Sequence, residues 1–146
     1  MAMLGGSMTA AQVEVQLKDL LQHWAKRGFG PWAVRHASSE QFIGIGGLLH
    51  ILIEAVAEVQ VGYVLGREFW GQGFATELAR ASADIGFSFL ACPSLVSFTV
   101  PSHLASRRVM EKVGFVIERN FADKHGVPQV LYRMTEPMWR EQSGIR

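Results

Sequence analysis

One run constrains this chain more than any other: Val61-Gly62-Tyr63-Val64-Leu65-Gly66-Arg67-Glu68-Phe69-Trp70-Gly71-Gln72-Gly73-Phe74-Ala75-Thr76-Glu77. Val61, Tyr63, Val64 and Leu65 are apolar β-formers, so the run opens as a strand. Phe74, Leu78, Ala81, Ile85 and Phe89 fall on one helical face, so it closes as a helix. Glycines at 66, 71 and 73 make the turn between them. A helix that starts just after glycines exposes the bare N–H groups of its first turn and the positive end of its dipole. Without a Cβ at Gly71 and Gly73, an anion can approach that backbone closely. The glycines alone fit an ordinary strand–turn–helix equally well. A dinucleotide-binding turn fits less well, because Thr76 stands where a third glycine belongs and no βαβ repeat follows.

The chain is long enough to bury a core as one domain, expected over residues 9–146, with residues 1–8 an uncharged leader or disordered start. A net charge of +1 argues against a nucleic-acid binder that lives on phosphate contacts. The single cysteine, Cys92, excludes an internal disulfide and reads as a packing residue beside Pro93. The five histidines lack ligand spacing, so no metal site is expected. The longest apolar run, Gly46 to Ile53, is too short to span a bilayer and contains His50. A cytoplasmic location is the default expectation.

Around the central run the pattern predicts a helix over Ala10–Lys26, capped by Thr9 with Gln12 and striped by Val13, Leu17, Leu20, Leu21 and Trp24. Strands follow over Pro31–His36, Gln41–Ile51 and Glu58–Leu65, with Leu52–Ala57 a connection of undefined form. Gly44, Gly46 and Gly47 inside the second strand mark a bulge or a tight crossing. The helix after the turn should end near Leu90, followed by a strand at Leu95–Val100 and a helix at His103–Val113 stopped by Gly114. Phe115–Phe121 and Gln129–Thr135 read as a hairpin, and Pro137 to Trp139 as a last turn packed on the body. The order implies an α+β domain in which the strands before and after the Gly73 helix are parallel neighbours.

A second motif sharpens this. Val100-Pro101-Ser102-His103-Leu104-Ala105-Ser106-Arg107-Arg108-Val109-Met110-Glu111-Lys112-Val113-Gly114-Phe115, taken with Trp70-Gly71-Gln72-Gly73-Phe74-Ala75-Thr76-Glu77, resembles the GNAT superfamily of acetyl-CoA-dependent N-acetyltransferases, nearest to the ribosomal-protein N-terminal acetyltransferase branch. The resemblance covers roughly Val13 to Thr135 and includes Gly28 to Val34. It implies a mixed, mostly antiparallel sheet flanked by helices, here lacking the usual first strand and helix. Such a gap leaves a sheet edge and some apolar surface uncovered, and a second copy of the chain is one way to cover them. Two more departures stand out: Glu68 where many members carry Gln or Arg, and His103 in place of an Asn.

What the resemblance implies for chemistry is specific. Acetyl-CoA would bind with its pantetheine amides on the backbone of Val64, Leu65 and Gly66. Its pyrophosphate would lie on the N–H groups of Gly71, Gln72, Gly73, Phe74, Ala75 and Thr76. His103 and Arg107 would make further cofactor contacts, with Arg67 and Lys112 as other candidates for the outer phosphates. Coenzyme A would leave as product after a neutral primary amine, from a peptide N-terminus or a small molecule, attacks the thioester. Met110 stands where many members carry a tyrosine acid and has no proton to give. The branch's serine is Ser106, which also lies on the inward stripe with Val109, Met110 and Val113. Glu58 is the first choice of base, ahead of Glu54 and His50, while Glu77 complements the helix end. The rival reading is a non-catalytic acyl-CoA-binding or interaction module, favoured by His103, Met110 and the missing first strand.

Overall fold

The computed structural model describes residues 10–144. The leader 1–8 and the Thr9 cap lie outside the described residues. Helix α1 (Ala10–Arg27) stops at Gly28, whose φ of 76° lets the chain turn back with its N–H on Trp24 O. Strands β1 (Pro31–Arg35), β2 (Phe42–Ile53) and β3 (Val56–Leu65) form an antiparallel meander. A 3-10 turn at Arg67–Phe69 leads to α2 (Phe74–Ser88), then β4 (Ser94–Thr99), α3 (Leu104–Val113), the hairpin β5 (Val116–Ala122) and β6 (Pro128–Thr135), and α4 (Glu136–Gln142).

The six strands make one sheet in the order β1-β2-β3-β4-β6-β5. All neighbours are antiparallel except β3 and β4, which pair in parallel at a single position, Gln60 opposite Val96. Beyond that position the two central strands part, so the sheet is forked. Alternation along the strands sends Val61, Leu95, Val130, Tyr132 and Met134 to the face covered by α2 and α3, where they pack with Ala79, Ala83, Phe87, Met110 and Val113. The opposite face carries a smaller cluster of Ile53, Val96 and Leu131.

Several expectations need correction. Leu52–Ala57 is no separate connection: β2 and β3 run on to a two-residue turn, with Glu54 and Ala55 at φ 50° and 68°. That geometry matches the right-handed twist of a hairpin and so wins over side-chain preference. Helix α2 ends at Ser88 rather than Leu90. The expected bulge lies on the β1 side: Val34 pairs with Gly44 but Arg35 with Phe42, so the register slips beside Gly44, while register with β3 is unbroken from Gly44 to Ile53. The crossing at Gly46 is tight: a Cβ there would stand 2.4 Å from Leu78 Cδ2 of α2. The stripe of α1 is the largest departure. Leu17 and Leu21 are 54% and 60% exposed, and only Leu20 and Trp24 of its described members are half-buried.

Candidate functional site

The fork opens into a cavity of about 270 Å³, lined by β3, the 70s turn, the start of α2, Ser97 and Thr99 of β4, and one flank of α3. The cradle is built as its glycines suggest. Gly71 and Gly73 sit at φ 75° and 85°, and nothing lies within 4 Å of the place a Cβ would take at either. Gly73 is the N-cap of α2 and no side chain caps it, so the first-turn N–H groups of Phe74, Ala75 and Thr76 are presented outward. Gly71, Gly73, Phe74, Ala75 and Thr76 all line the cavity. Gln72 does not; its amide turns back to Glu68 O at 3.0 Å.

Strand register decides which backbone groups face the opening. In an antiparallel pair, residues alternate between exchanging hydrogen bonds with the partner and pointing both groups away. Gly66 N–H donates to Ile43 O at 2.9 Å, so Gly66, Val64 and Gly62 spend their groups on β2. Gly66 O is also taken, by Phe69 N–H at 2.9 Å. Val61, Tyr63 and Leu65 therefore point theirs toward β4. Two side chains confirm the direction: Ser97 Oγ donates to Val61 O at 2.8 Å, and Trp70 Nε1 donates to Leu65 O at 3.0 Å. The Tyr63 peptide groups and the Leu65 N–H face the opening, which revises the expectation for Val64 and Gly66.

Ser106 reaches the same cavity from α3, and Tyr63 meets it there with Oη 3.3 Å from Oγ. Burial raises the Tyr63 phenol above its usual value, and the hydrogen bond to Ser106 offsets part of that rise. His103 lines the cavity too, but its Nδ1 accepts from Ser106 N–H at 3.2 Å as the cap of α3. It fixes the serine's backbone.

Arg107 is not among the lining residues. Its Nε donates to Tyr132 Oη at 3.1 Å and its Nη1 to Pro101 O at 2.9 Å, while Tyr132 donates on to Glu111 at 3.0 Å. Tyr132 is 1% exposed, so this chain of bonds ties α3 to the sheet. Arg108 and Lys112 face the cavity instead. Glu58 points to the opposite sheet face from Val61 and Tyr63, where Arg133 holds it at 2.7 Å. The structure does not bring it to Ser106.

Sequence reasoning missed Tyr63 and Arg108. Ala105, Arg108, Val109 and Lys112 stand at i, i+3, i+4 and i+7, so the helix period already placed Arg108 on one flank with Lys112. Nothing local could pair Tyr63 with a serine 43 residues away.

A family profile described as an Acetyltransferase (GNAT) domain matches residues 1–116. The chain is 33% identical over 108 residues to the uncharacterized protein YkkB of Bacillus subtilis, covering 67% of this chain and 63% of that one. It is 29% identical over 106 residues to the uncharacterized N-acetyltransferase YoaA of the same organism, covering 70% and 59%. The chain thus spans about three fifths of the length of these relatives. Among solved structures, an acetyltransferase from Agrobacterium tumefaciens superposes with a TM-score of 0.75 at 26% identity, over 89% of this chain and 74% of that one.

Proposed function

The chain belongs to the GNAT acetyltransferase family, and from that premise we propose that it transfers the acetyl group of acetyl-CoA to a primary amine, on a peptide N-terminus or a small molecule. The observation that carries this reading is the meeting of three features in one cavity: a glycine cradle at a helix N-terminus, a strand edge with outward backbone groups, and the Ser106 hydroxyl.

The residues present fit such a donor. The open space at Gly71 and Gly73 leaves the first-turn N–H groups of α2 within reach of a pyrophosphate. Arg108 and Lys112 add positive charge on the flank of the same cavity. Hydrogen bonds to charged groups contribute roughly 1.5–3 kcal/mol each, so a few of them anchor a cofactor. The backbone groups of Tyr63 and Leu65 would pair with the amides of an extended arm, as an added strand would. Acetyl-CoA supplies an activated acyl group as a thioester. Ser106 then stands at the reacting end, where its hydroxyl can donate to the departing sulfur.

The test is a thermal shift with acetyl-CoA, CoA and ATP side by side, followed by turnover on an amine panel. A ligand at a hundred times its Kd stabilises the native state by about 2.7 kcal/mol. Stabilisation by both CoA species and not by ATP supports the cradle, and thioester consumption with an amine supports transfer. Binding without consumption would favour a non-catalytic module.

A further inference from the structure

Any acyl transfer from a thioester needs a proton for the departing sulfur, and Met110 on the inward face of α3 is a buried thioether with none to give. Ser106 has one proton and needs it replaced. Tyr63 is placed on the cavity wall to replace it, with its Oη 3.3 Å from Ser106 Oγ. Both residues are held from behind. Tyr63 sits in the β2–β3 ladder with Gly46 opposite, and Ser106 N–H is fixed on His103. Arg108 and Lys112 of α3 and the His103 ring line the same cavity, to which β4 adds Ser97 and Thr99. No carboxylate stands among the described lining residues.

We infer that Tyr63 is the proton reserve behind Ser106. This rests on the acetyl-transfer reading above. As the nitrogen–carbon bond forms and the carbon–sulfur bond breaks, Ser106 gives its proton to the departing sulfur, and Tyr63 gives its own to Ser106. Tyr63 then recovers a proton, through water, from the one that the acylated nitrogen releases. No net proton is consumed and nothing is oxidised. Ser106 is the catalytic residue and Tyr63 the residue that acts through it. A phenol suits this role, because it carries a proton at neutral pH and burial holds it there.

The chain has two tyrosines, Tyr63 and Tyr132, so tyrosinate absorbance isolates Tyr63 by difference from Tyr63→Phe. In the ligand-free protein Tyr63 should ionise above its ordinary value. It should ionise higher still in Ser106→Ala, where the hydrogen bond that lowers it is gone. In turnover, Tyr63→Phe should lose roughly 10²-fold in kcat with little change in KM for acetyl-CoA. The double variant should be no worse than Ser106→Ala alone. A Tyr63 ionisation indifferent to Ser106→Ala, or a double variant that multiplies the two losses, would overturn the relay. Failure of acetyl-CoA to stabilise the wild type would instead sink the transfer reading, and the ligand-free titration would remain as a separate result.

Discussion

Arg133 on β6 grips Glu58 on β3 across the intervening strand β4, with Nη1 3.0 Å from Oε1 and Nη2 2.7 Å from Oε2. The same guanidinium donates to Ser94 Oγ of β4 at 2.8 Å and to Glu118 of β5 at 2.7 Å. One side chain therefore bolts four strands together on the face away from the cavity. Glu58 and Ser94 both lie before the Gln60–Val96 pair, after which β3 and β4 part. The bolt closes one end of the fork and leaves the other free to open.

Arg133→Met tests this. The two side chains are 23% and 15% exposed, so the pair is neither fully screened nor fully desolvated. Losing it should cost about 2 kcal/mol of unfolding free energy, read from denaturant titration. Glu58→Gln should also lower stability, yet leave the pH dependence of turnover in place. A lost acid-side limb would mean that Glu58 is a base after all.

Two carboxylates set an acid sensitivity, Glu118 in this network and Asp123 in the β5–β6 loop. Hydrogen bonds from Arg133 hold the Glu118 carboxyl below its ordinary 4.5, and the Val127 N–H, followed by other donors, holds Asp123 below 3.8. For both groups the folded state binds its proton less readily than the unfolded state does. Their contribution is therefore present above the ordinary values and is lost as pH falls through the lower folded-state ones. The unfolding midpoint should fall as pH drops below about 4.5. Glu118→Gln combined with Asp123→Asn should flatten that slope. An unchanged slope would place the acid sensitivity elsewhere.

Gly73→Ala separates backbone strain from cradle function. No atom lies near the added methyl, so the stability cost is that of an L-residue in a left-handed conformation, about 1–2 kcal/mol. The methyl would also occupy open space through which an anion must approach the first-turn N–H groups. Binding of CoA, read by calorimetry, should weaken roughly tenfold or more, which is about 1.4 kcal/mol. Gly126→Ala is the control: its φ is 77°, its Cβ position is open, and it lies in the β5–β6 loop. It should carry a similar strain and bind CoA as the wild type does.

His103→Ala should cost about 1 kcal/mol through loss of the α3 cap, and His103→Asn should recover most of it, because Asn is among the best N-caps. Thermal denaturation of the three proteins orders them. If Asn fails to rescue stability, the ring has a role beyond the cap.

Much of this was legible in sequence because it is local. The strand–glycine–helix run, the α3 stripe ending at Gly114 and the final hairpin each carry their own period and turn residues, and the structure holds all of them within a few residues of expectation. What was not legible depends on register. Nothing in Val64-Leu65-Gly66 tells which of the three points its backbone into the fork; that follows from Gly66 N–H reaching Ile43 O. Arg107 and Arg108 are alike in sequence until Tyr132 rises beneath the helix and claims one of them. Glu58 looked available until Arg133, 75 residues later, came to lie beside it. The α1 stripe has clear amphipathic spacing, but spacing cannot say whether a surface exists to receive it.

The glycines of β2 join fold to site, and Gly46→Ala tests that link. A methyl there would stand 2.4 Å from Leu78 Cδ2, 2.8 Å from Tyr63 Cβ and 3.0 Å from Gly62 O. Leu78 can swing its end away, but Tyr63 Cβ and the Gly62 carbonyl are fixed by the β2–β3 ladder. The excess volume must then lift α2 from the sheet or shift Tyr63 along the cavity wall. Overpacking of this kind costs about 1–3 kcal/mol. The fold should survive, because the register of β2 with β3 is set by ten consecutive pairs. The site should suffer more than the fold does. A displaced Tyr63 loses its 3.3 Å contact with Ser106, so kcat should fall by more than CoA affinity, and the Tyr63 ionisation should cease to respond to Ser106→Ala. If kcat and affinity instead fall together while that response persists, the methyl has moved α2 and its cradle rather than the tyrosine.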